Sequence, residues 1–417
     1  MVGPELITLG CRLNIAESEA MRTLAADQDD LVIVNSCAVT AEAVRQTRQA
    51  IRRAHRARPD ARIVVTGCAA QTDPAMFAAM PEVAQVVGNR EKMEPNAFMR
   101  AEHPLDARVR VSDIMAVRDT APHLVSAFSE HARAFVEVQN GCDHRCTFCV
   151  IPYGRGNSRS APAGAVIDAI RALVDQGHRE VVMTGVDVTS YGADLPGSPS
   201  LGSLVERVLN AVPALPRLRL SSIDSVEIDE RLEDLLCNAP RVMPHLHLSL
   251  QSGDDMILKR MKRRHGRADA IRIVERIRAQ RPDVSIGADI IAGFPTETEE
   301  MFASSLALVR ECGIVHGHVF PYSPRTGTPA ARMPQVDRAE VKARAARLRE
   351  ACAQERSAWL RSLVGTHQNV LVERDGLSGH AENFAPVRFP HGRPAGEIHA
   401  ATIGSLENGV LIAQEAA

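Results

Sequence analysis

Three short apolar runs recur near the start of the chain, and each ends in a small or polar pair followed by cysteine. The runs are ELITLGC, LVIVNSC and RIVVTGC, which end at Cys11, Cys37 and Cys68. Stretches with helical periodicity separate them, over residues 16–26 and 41–57. Apolar, β-branched runs that alternate with amphipathic helices predict a parallel α/β sheet. Because ligands bind at the carboxyl ends of parallel strands, the three cysteines are predicted to lie at one functional edge.

A second alternation of strands and helices begins near residue 134. Five apolar runs each lead into a polar or Gly-rich loop: EVVMTGVDVTSYG, LPRLRLSSID, PHLHLSLQSG, DVSIGADIIAGFPTETEE and GIVHGHVFPYSPRTGTP. This pattern predicts a partial (β/α) barrel with its active site at the C-terminal ends of the strands. Helices are predicted at 163–176, 201–211, 255–261, 268–280, 297–312 and 336–363.

The last part of the chain changes character. The short runs HQNVLVE, AENFAPVRFP, GEIHAATIGSLE and GVLIAQE are separated by Gly, Pro and Asn, which predicts a small antiparallel β-barrel. The predicted fold class is therefore α/β with a C-terminal all-β module. The predicted domains are an N-terminal α/β domain, a linker, a partial barrel and a small β-barrel, at residues 1–100, 101–132, 133–360 and 361–417.

The charge of the chain is nearly balanced, with a formal net charge of −2, so composition alone gives no nucleic-acid signal. No run is long enough to span a membrane, and the N-terminal residues lack the pattern of a signal peptide. We therefore expect a cytoplasmic protein without a membrane partner. In that reducing compartment a cluster of cysteines indicates metal binding or catalysis rather than disulfides.

The segment GCDHRCTFC places three cysteines in one loop, at Cys142, Cys146 and Cys149. Gaps of three and then two residues let three thiolates reach three corners of a cubane iron–sulfur cluster, so that one iron stays free to bind a small molecule. A structural zinc site would need four protein ligands, although His144 lies inside the loop. The open cluster is the favoured interpretation.

The three N-terminal cysteines could each be an ordinary buried residue. Their repeated position at equivalent strand ends instead favours a second open cluster held by Cys11, Cys37 and Cys68. Three further cysteines, Cys237, Cys312 and Cys352, lie in helical segments without metal spacing and are interpreted as structural.

The central loop resembles the cluster motif of the radical S-adenosylmethionine enzymes. With the N-terminal cysteine domain and a C-terminal barrel similar to a TRAM RNA-binding module, the whole chain resembles the methylthiotransferase branch of that superfamily. The resemblance implies two 4Fe–4S clusters and S-adenosylmethionine as cofactors, with Cys142, Cys146 and Cys149 catalytic. It also implies that the N-terminal cluster holds or activates the inserted sulfur, and that an electron donor such as flavodoxin or ferredoxin is a partner.

Within this branch, GCRLN, NSCAVT, RQTRQAIRR and GCDHRCTFCVIPYGRGNSRS most resemble enzymes that act on N6-threonylcarbamoyladenosine beside the tRNA anticodon. The resemblance implies conversion of that nucleoside to its 2-methylthio derivative. Arg12 and Leu13 depart from the motifs of two sister families, which act on isopentenyladenosine in tRNA and on an aspartate of a ribosomal protein. Those two substrates stay as alternatives, and so does a non-catalytic iron–sulfur protein that binds RNA and senses redox state.

Polar residues at the predicted strand ends are candidates for cofactor binding. Gly185 and Asp187 occupy the position where the superfamily holds the methionine amine, although Asp187 could be an ordinary helix cap. Ser222 and Gln251 lie at the ends of later strands, and Asp289 belongs to a strand–loop–helix unit.

Basic residues near the cluster loop are candidates for RNA binding. Arg155 and Arg159 follow the loop and could bind phosphate or form salt bridges. The segment LKRMKRRHGR contributes Lys262, Arg263 and Arg264, which could bind tRNA phosphates or form a solvated helix face.

Overall fold

The structure, a computed structural model, describes residues 3–99, 108–118 and 131–414. Much of the predicted linker, at 100–107 and 119–130, lies outside the described residues. No helix in the described part of the chain combines the length and apolar character needed to cross a membrane.

The N-terminal domain is a parallel sheet of five strands in the order β1-β2-β3-β4-β5. Parallel registry pairs Thr8 with Asn35 and Ser36 with Gly67, so that the first three strands end side by side. The strands are β1 Glu5–Thr8, β2 Leu31–Ser36, β3 Arg62–Gly67, β4 Gln85–Val87 and β5 Val109–Arg110. The helices are α1 Arg12–Leu24, α2 Ala41–Ala57, α3 Cys68–Thr72 and α4 Pro74–Ala78.

The central domain is a partial barrel of six parallel strands. Two bridges, between Leu218 and Val242 and between Ile223 and Leu248, join its two halves. The strands are β6 Ala134–Asn140, β8 Glu180–Gly185, β9 Arg217–Leu220, β10 His245–Gln251, β11 Ser285–Ala292 and β12 Ile314–Pro321, and the short β7 Arg159–Ser160 pairs antiparallel with β6. The helices are α5 Ile151–Arg155, α6 Ala163–Asp175, α7 Leu201–Ala211, α8 Glu230–Asn238, α9 Asp255–Met261, α10 Arg267–Gln280, α11 Glu299–Glu311 and α12 Arg338–Ser362.

Helix α1 connects these two domains. It packs against β6 and β8, and Ala16 joins the apolar core of the barrel. The helix begins at Arg12, four residues before the predicted start, with Cys11 at its N-cap. The first residue of α1 is thereby directed toward the barrel interior.

The C-terminal module is a closed barrel in the order β13-β14-β15-β17-β16. Its strands are β13 His367–Val372, β14 Ser378–Ala381, β15 Pro386–Arg388, β16 Ile398–Glu407 and β17 Val410–Ala413. Four of its strand pairs are antiparallel, as expected, but β15 and β17 pair in parallel and close the barrel.

This module packs on the N-terminal ends of the central strands. Arg217 donates to the carbonyl oxygen of Asn369 at 2.8 Å, and Ser285 donates to that of Asn383 at 2.6 Å. Phe384, in the loop between β14 and β15, stacks on His380 and lies 5.1 Å from His245, measured between ring centroids. The base of the central barrel is therefore covered by the C-terminal module.

Candidate active site between two cysteine triads

The central cysteine triad, Cys142, Cys146 and Cys149, follows strand β6 as predicted. The turn that begins the loop needs glycine at Gly141, since its φ is +74° and a Cβ would lie 1.9 Å from the carbonyl oxygen of Asn157. The sulfur of Cys142 lies 3.5 Å from an oxygen of Asp187.

Burial raises the pKa of Cys149 to about 12, and the neighbouring thiols add to the effect. Burial also raises the pKa of Cys142 strongly, with Asp187 as the next cause. Arg263 acts against the shift at Cys149 but does not outweigh burial, so both thiols hold their protons at neutral pH. Binding of a cluster must therefore release protons, as it does wherever thiolates are metal ligands.

The N-terminal triad, Cys11, Cys37 and Cys68, lies at the ends of β1, β2 and β3. The loop after β1 passes close to Cys37, since a Cβ on Gly10 would lie 2.8 Å from the Cβ of Cys37. Burial raises the pKa of Cys37 to about 11 and also raises the pKa of Cys11. Cys11 is nevertheless accessible to solvent, whereas Cys37 and Cys68 are buried.

The spacing of the sulfur atoms fits a cluster better than a single ion. Within each triad the thiols are near enough to perturb one another's pKa values. Among the described residues, however, neither triad brings all three sulfurs within 4.8 Å of one another. A tetrahedral zinc ion, with Zn–S bonds of about 2.3 Å, would hold its sulfurs about 3.8 Å apart. The residues present therefore suit a polynuclear iron–sulfur group.

Arg155 links the N-terminal triad to the helix that follows the central loop. It ends helix α5, just after the central loop, and its Nε donates to the sulfur of Cys68 at 3.1 Å. Its guanidinium also pairs with Glu17, with 2.9 Å between Nη2 and Oε2, and donates to Asn14 at 2.6 Å. Lys92, which is fully buried, is the second cation on Glu17, at 2.7 Å.

This network corrects the prediction that Arg155 could bind RNA. The residue is 2% exposed, and its guanidinium is taken up by Glu17, Asn14 and Cys68. Burial opposes ionisation of Glu17, but Arg155 and Lys92 outweigh it and lower its pKa. Of the two alternatives given for Arg155, phosphate binding or a salt bridge, the structure shows the salt bridge. The residue holds the N-terminal domain against the cluster loop.

Two further arginines predicted to bind RNA also point inward. Arg159 is 6% exposed and donates to the carbonyl oxygen of Arg155 at 3.0 Å. Arg263 pairs with Asp224 at 2.7 Å and has its Nη1 3.6 Å from the sulfur of Cys146. Arg263 therefore belongs to the surroundings of the central triad, which the sequence did not indicate.

The other two predicted RNA-binding residues lie at the surface. Arg264 is half-exposed and pairs with Glu227 at 2.5 Å. Lys262 is exposed, in the left-handed conformation that ends helix α9. Lys259, one turn earlier on the same helix, is exposed as well. The surface beside the cluster loop thus has two lysines available for phosphate contacts.

Gly185 and Asp187, predicted to bind cofactor, lie at the end of β8. A Cβ on Gly185 would lie 2.6 Å from the carbonyl oxygen of Gln139, so the loop passes close to the neighbouring strand. The side-chain oxygen of Gln139 accepts hydrogen bonds from the backbone nitrogens of Val186 and Asp187, at 3.1 and 2.8 Å. Gln139 thereby fixes this loop beside Cys142.

The remaining cofactor candidates lie at three different places. Ser222 is half-buried in the loop after β9, and Gln251 ends β10 with a φ of +67°. Asp289 lies within β11. Its Oδ1 lies 3.1 Å from Nε2 of His247 and 3.2 Å from Nδ1 of His318.

Charged residues that the sequence did not single out fill the base of the barrel. Glu180 accepts ion pairs from Arg133 at 3.1 Å and Arg219 at 3.0 Å, with Arg217 at 3.6 Å. The guanidinium of Arg12 lies above the ring of Phe384, 5.7 Å from its centroid. The alternation of side chains along a strand indicates that these charged residues point inward. Their ion-pair partners come from segments distant in sequence, so the sequence does not indicate which residues pair.

Comparison with known proteins gives a family for this architecture. A model of the radical SAM superfamily matches residues 136–309, and a model of the uncharacterized protein family UPF0004 matches residues 5–88. A structure of the radical S-adenosylmethionine methyltransferase TsrM from Kitasatospora setae has a TM-score of 0.52 at 19% identity. It covers 76% of this chain and 66% of its own length, which is a likeness of fold.

The curated relatives extend over nearly the whole chain. The threonylcarbamoyladenosine tRNA methylthiotransferase MtaB of Rickettsia prowazekii (strain Madrid E) is 50% identical over 409 residues, which are 98% of this chain and 96% of the relative. The tRNA-2-methylthio-N(6)-dimethylallyladenosine synthase of Roseobacter denitrificans (strain ATCC 33942 / OCh 114) is 34% identical, covering 88% of this chain and 87% of its own. The family resemblance noted in the sequence is thus confirmed, and the chain belongs to the methylthiotransferase family of the radical SAM superfamily, together with the MtaB proteins.

Proposed function

We propose that the protein converts N6-threonylcarbamoyladenosine, beside the anticodon of tRNA, to its 2-methylthio derivative. The observation that carries the proposal is the pair of cysteine triads at strand ends of two α/β domains, joined by the contact of Arg155 with Cys68. The substrate follows from the relative at 50% identity, whose name specifies threonylcarbamoyladenosine. The relative named for dimethylallyladenosine is more distant, at 34%.

Membership of the superfamily implies one 4Fe–4S cluster and S-adenosylmethionine. We assign that cluster to Cys142, Cys146 and Cys149, and a second one to Cys11, Cys37 and Cys68. Once bound, these groups supply the radical and sulfur chemistry that an unactivated C–H bond at C2 of adenine requires.

The protein's own residues bind and orient the reactants. Gly185, Asp187, Ser222 and Gln251 line the strand ends where S-adenosylmethionine would lie. Arg155 fixes the distance between the triads, and the covered base of the barrel restricts entry of water.

The partner molecules follow from the same assignment. The target nucleoside must leave the stacked anticodon loop to reach the cleft between the triads. Lys259 and Lys262 are exposed beside the cluster loop and would contact tRNA phosphates, with the C-terminal module as a second RNA contact. An electron donor such as flavodoxin or ferredoxin would supply the reducing equivalent, in the cytoplasm.

Mass analysis of tRNA nucleosides tests the substrate directly. A strain that lacks this gene should lose 2-methylthio-N6-threonylcarbamoyladenosine and accumulate the unthiolated nucleoside, and a plasmid copy of the wild-type gene should restore it. Loss of the 2-methylthio derivative of isopentenyladenosine instead would assign the protein to the sister substrate. An unchanged tRNA profile together with a changed ribosomal protein mass would identify the protein substrate.

Cysteine variants separate the two triads in the purified protein. Reconstituted wild type should hold about eight irons per chain, and each Ala variant of the central triad should lose reductive formation of 5′-deoxyadenosine. Each Ala variant of the N-terminal triad should retain it and lose methylthiolation. A protein that binds iron but never cleaves S-adenosylmethionine would instead be the non-catalytic sensor.

A further inference from the structure

Arg12 is a half-buried cation without a partner. It is the first residue of α1, directly after Cys11, and its guanidinium reaches the ring face of Phe384. Arg219, Arg133, Glu180 and Asp289 all lie near enough to act on its charge. Among the residues that the structure describes, none forms a hydrogen bond or an ion pair with Arg12.

The carboxylates near Arg12 already have other partners. Glu180 is shared by Arg133, Arg217 and Arg219, and Nη1 of the fully buried Arg219 has no hydrogen-bond partner. Burial lowers the pKa of His316 to about 3, so that this ring is neutral at pH 7. Asp289, the second carboxylate that acts on Arg12, has its Oδ1 3.1 Å from Nε2 of His247 and 3.2 Å from Nδ1 of His318.

A buried guanidinium without an anion is unfavourable, because desolvation is not repaid by an ion pair. An anionic ligand that entered this part of the barrel would relieve it, and a carboxylate matches the two parallel donors of arginine best. The position beside Cys11 places such a ligand within one side-chain length of the N-terminal triad.

We propose that Arg12 binds the carboxylate of the threonyl group on the substrate nucleoside, an inference that rests on the proposed function. Of the two nucleosides named for the relatives, only the threonylcarbamoyl derivative carries an anion, and the dimethylallyl group is apolar. An apolar group beside Arg12 would leave its guanidinium unpaired. Arg12 is thus a specificity-determining residue that selects the substrate by charge.

A binding experiment on the reconstituted, unreduced full-length protein tests the assignment. The probes are three synthetic anticodon stem-loop RNAs, which carry N6-threonylcarbamoyladenosine, the same nucleoside with its carboxylate converted to a primary amide, or unmodified adenosine. Fluorescence anisotropy gives the dissociation constants. The variants are Arg12→Gln, which removes the charge, and Arg12→Lys, which keeps it. Arg171→Gln, at an exposed pair on α6, is the control.

The wild type and Arg171→Gln should bind the carboxylate RNA about tenfold to a hundredfold more tightly than the amide RNA. Arg12→Gln should bind both equally weakly, and Arg12→Lys should retain part of the preference. Equal binding of the two RNAs by the wild type, or a preference that survives in Arg12→Gln, would overturn the assignment.

Turnover of the carboxylate RNA distinguishes this inference from the proposed function. A wild type that methylthiolates that RNA but does not distinguish acid from amide leaves the function intact and refutes the role of Arg12. A wild type that neither modifies it nor binds it better than the unmodified RNA refutes both.

Discussion

At the scale of single residues, buried charge organises the molecule. Two carboxylates, Glu17 and Glu180, each serve more than one cation, and both lie where segments from different domains meet. A buried ion pair adds little net stability, but removal of one partner is strongly destabilising, because the remaining charges stay buried.

Replacing Glu180 with Gln should destabilise the protein by about 3–5 kcal/mol, because Arg217 and Arg219 would lose their buried counter-charge. Urea unfolding at pH 7 measures the change. Glu206→Gln, at the exposed pair with Arg231, is the control and should cost at most about 1 kcal/mol. Equal effects of the two substitutions would refute the importance of the buried group.

The pH dependence of that difference has a defined sign. Burial opposes ionisation of Glu180, but Arg219, Arg133 and Arg217 outweigh it and lower its pKa to about 2. The contribution of Glu180 is therefore present above the unfolded pKa of about 4.3 and is lost as the pH falls toward 2. The stability gap between wild type and Glu180→Gln should narrow over that interval.

Replacing Arg155 with Lys should impair assembly of the N-terminal cluster, since the point charge of lysine cannot serve Cys68, Glu17 and Asn14 at once. Iron per chain should fall from about eight toward about four after reconstitution. Arg344→Lys, at a buried arginine paired with Glu297, is the matched control and should keep the wild-type iron content. Equal iron loss in both variants would mean that any buried arginine has this effect.

At the scale of elements, the sequence predicted helix bounds well and strand pairing less well. The helices at Leu201–Ala211 and Asp255–Met261 have their predicted bounds, because their apolar periodicity is local and their N-caps, Ser200 and Asp254, directly precede them. The edge strand β5 lies inside the predicted linker, and its pairing with β4 depends on a distant segment. The parallel pairing of β15 and β17 was missed for the same physical reason.

In the candidate site, the sequence predicted the cysteine positions but not the directions of the arginine side chains. The close spacing of Cys142, Cys146 and Cys149 predicted the central triad, and the repeated strand-end position of Cys11, Cys37 and Cys68 predicted the N-terminal one. The metal-binding role of both triads stays a prediction. The arginines of the cluster loop and of segment 259–267 were predicted as RNA contacts, yet Arg155, Arg159 and Arg263 turn inward to partners far away in sequence. An arginine's direction depends on those partners, so the sequence alone did not reveal it.

Helix α9 should contribute directly to tRNA affinity. Replacing both Lys259 and Lys262 with Gln removes two exposed cations beside the cluster loop. The slope of log K against log salt should become shallower by up to about two units, because fewer counterions are released. Lys342→Gln, at an exposed lysine on α12, should leave the slope unchanged. An unchanged slope in the double variant would exclude this helix from the RNA interface.

At the scale of the whole molecule, the C-terminal module has two separable roles. Its loop at Phe384 covers the base of the barrel, and Arg219 lies 4.8 Å from the centroid of that ring. Its surface is not strongly basic: between residues 364 and 414 the cations Arg374, Arg388 and Arg393 are outnumbered by Glu373, Asp375, Glu382, Glu397 and Glu407. Any RNA contact there is therefore restricted to a few side chains.

Phe384→Ala should test the structural role without removing the module. The ring is partly buried among His245, His316 and three arginines, so its loss should cost roughly 1.5–3 kcal/mol. Urea unfolding at pH 7 measures the change, and Leu377→Ala, at an exposed side chain of the same module, is the control. Equal stability of the two variants would show that the ring does not hold the module in place.

Truncation before Leu363 should remove the contact of Phe384 with the base of the barrel and should also weaken tRNA binding. The shortened protein should bind tRNA more weakly and with a shallower salt dependence, because its phosphate contacts are gone. Arg388→Gln separates the two effects, since this arginine is exposed on β15 and its loss should reduce the slope by about one unit without destabilising the barrel. Arg231→Gln, on α8, is the matched surface control. A truncated protein that binds tRNA with unchanged affinity and slope would confine the RNA footprint to the lysines of α9, and the C-terminal module would then serve only to cover the barrel.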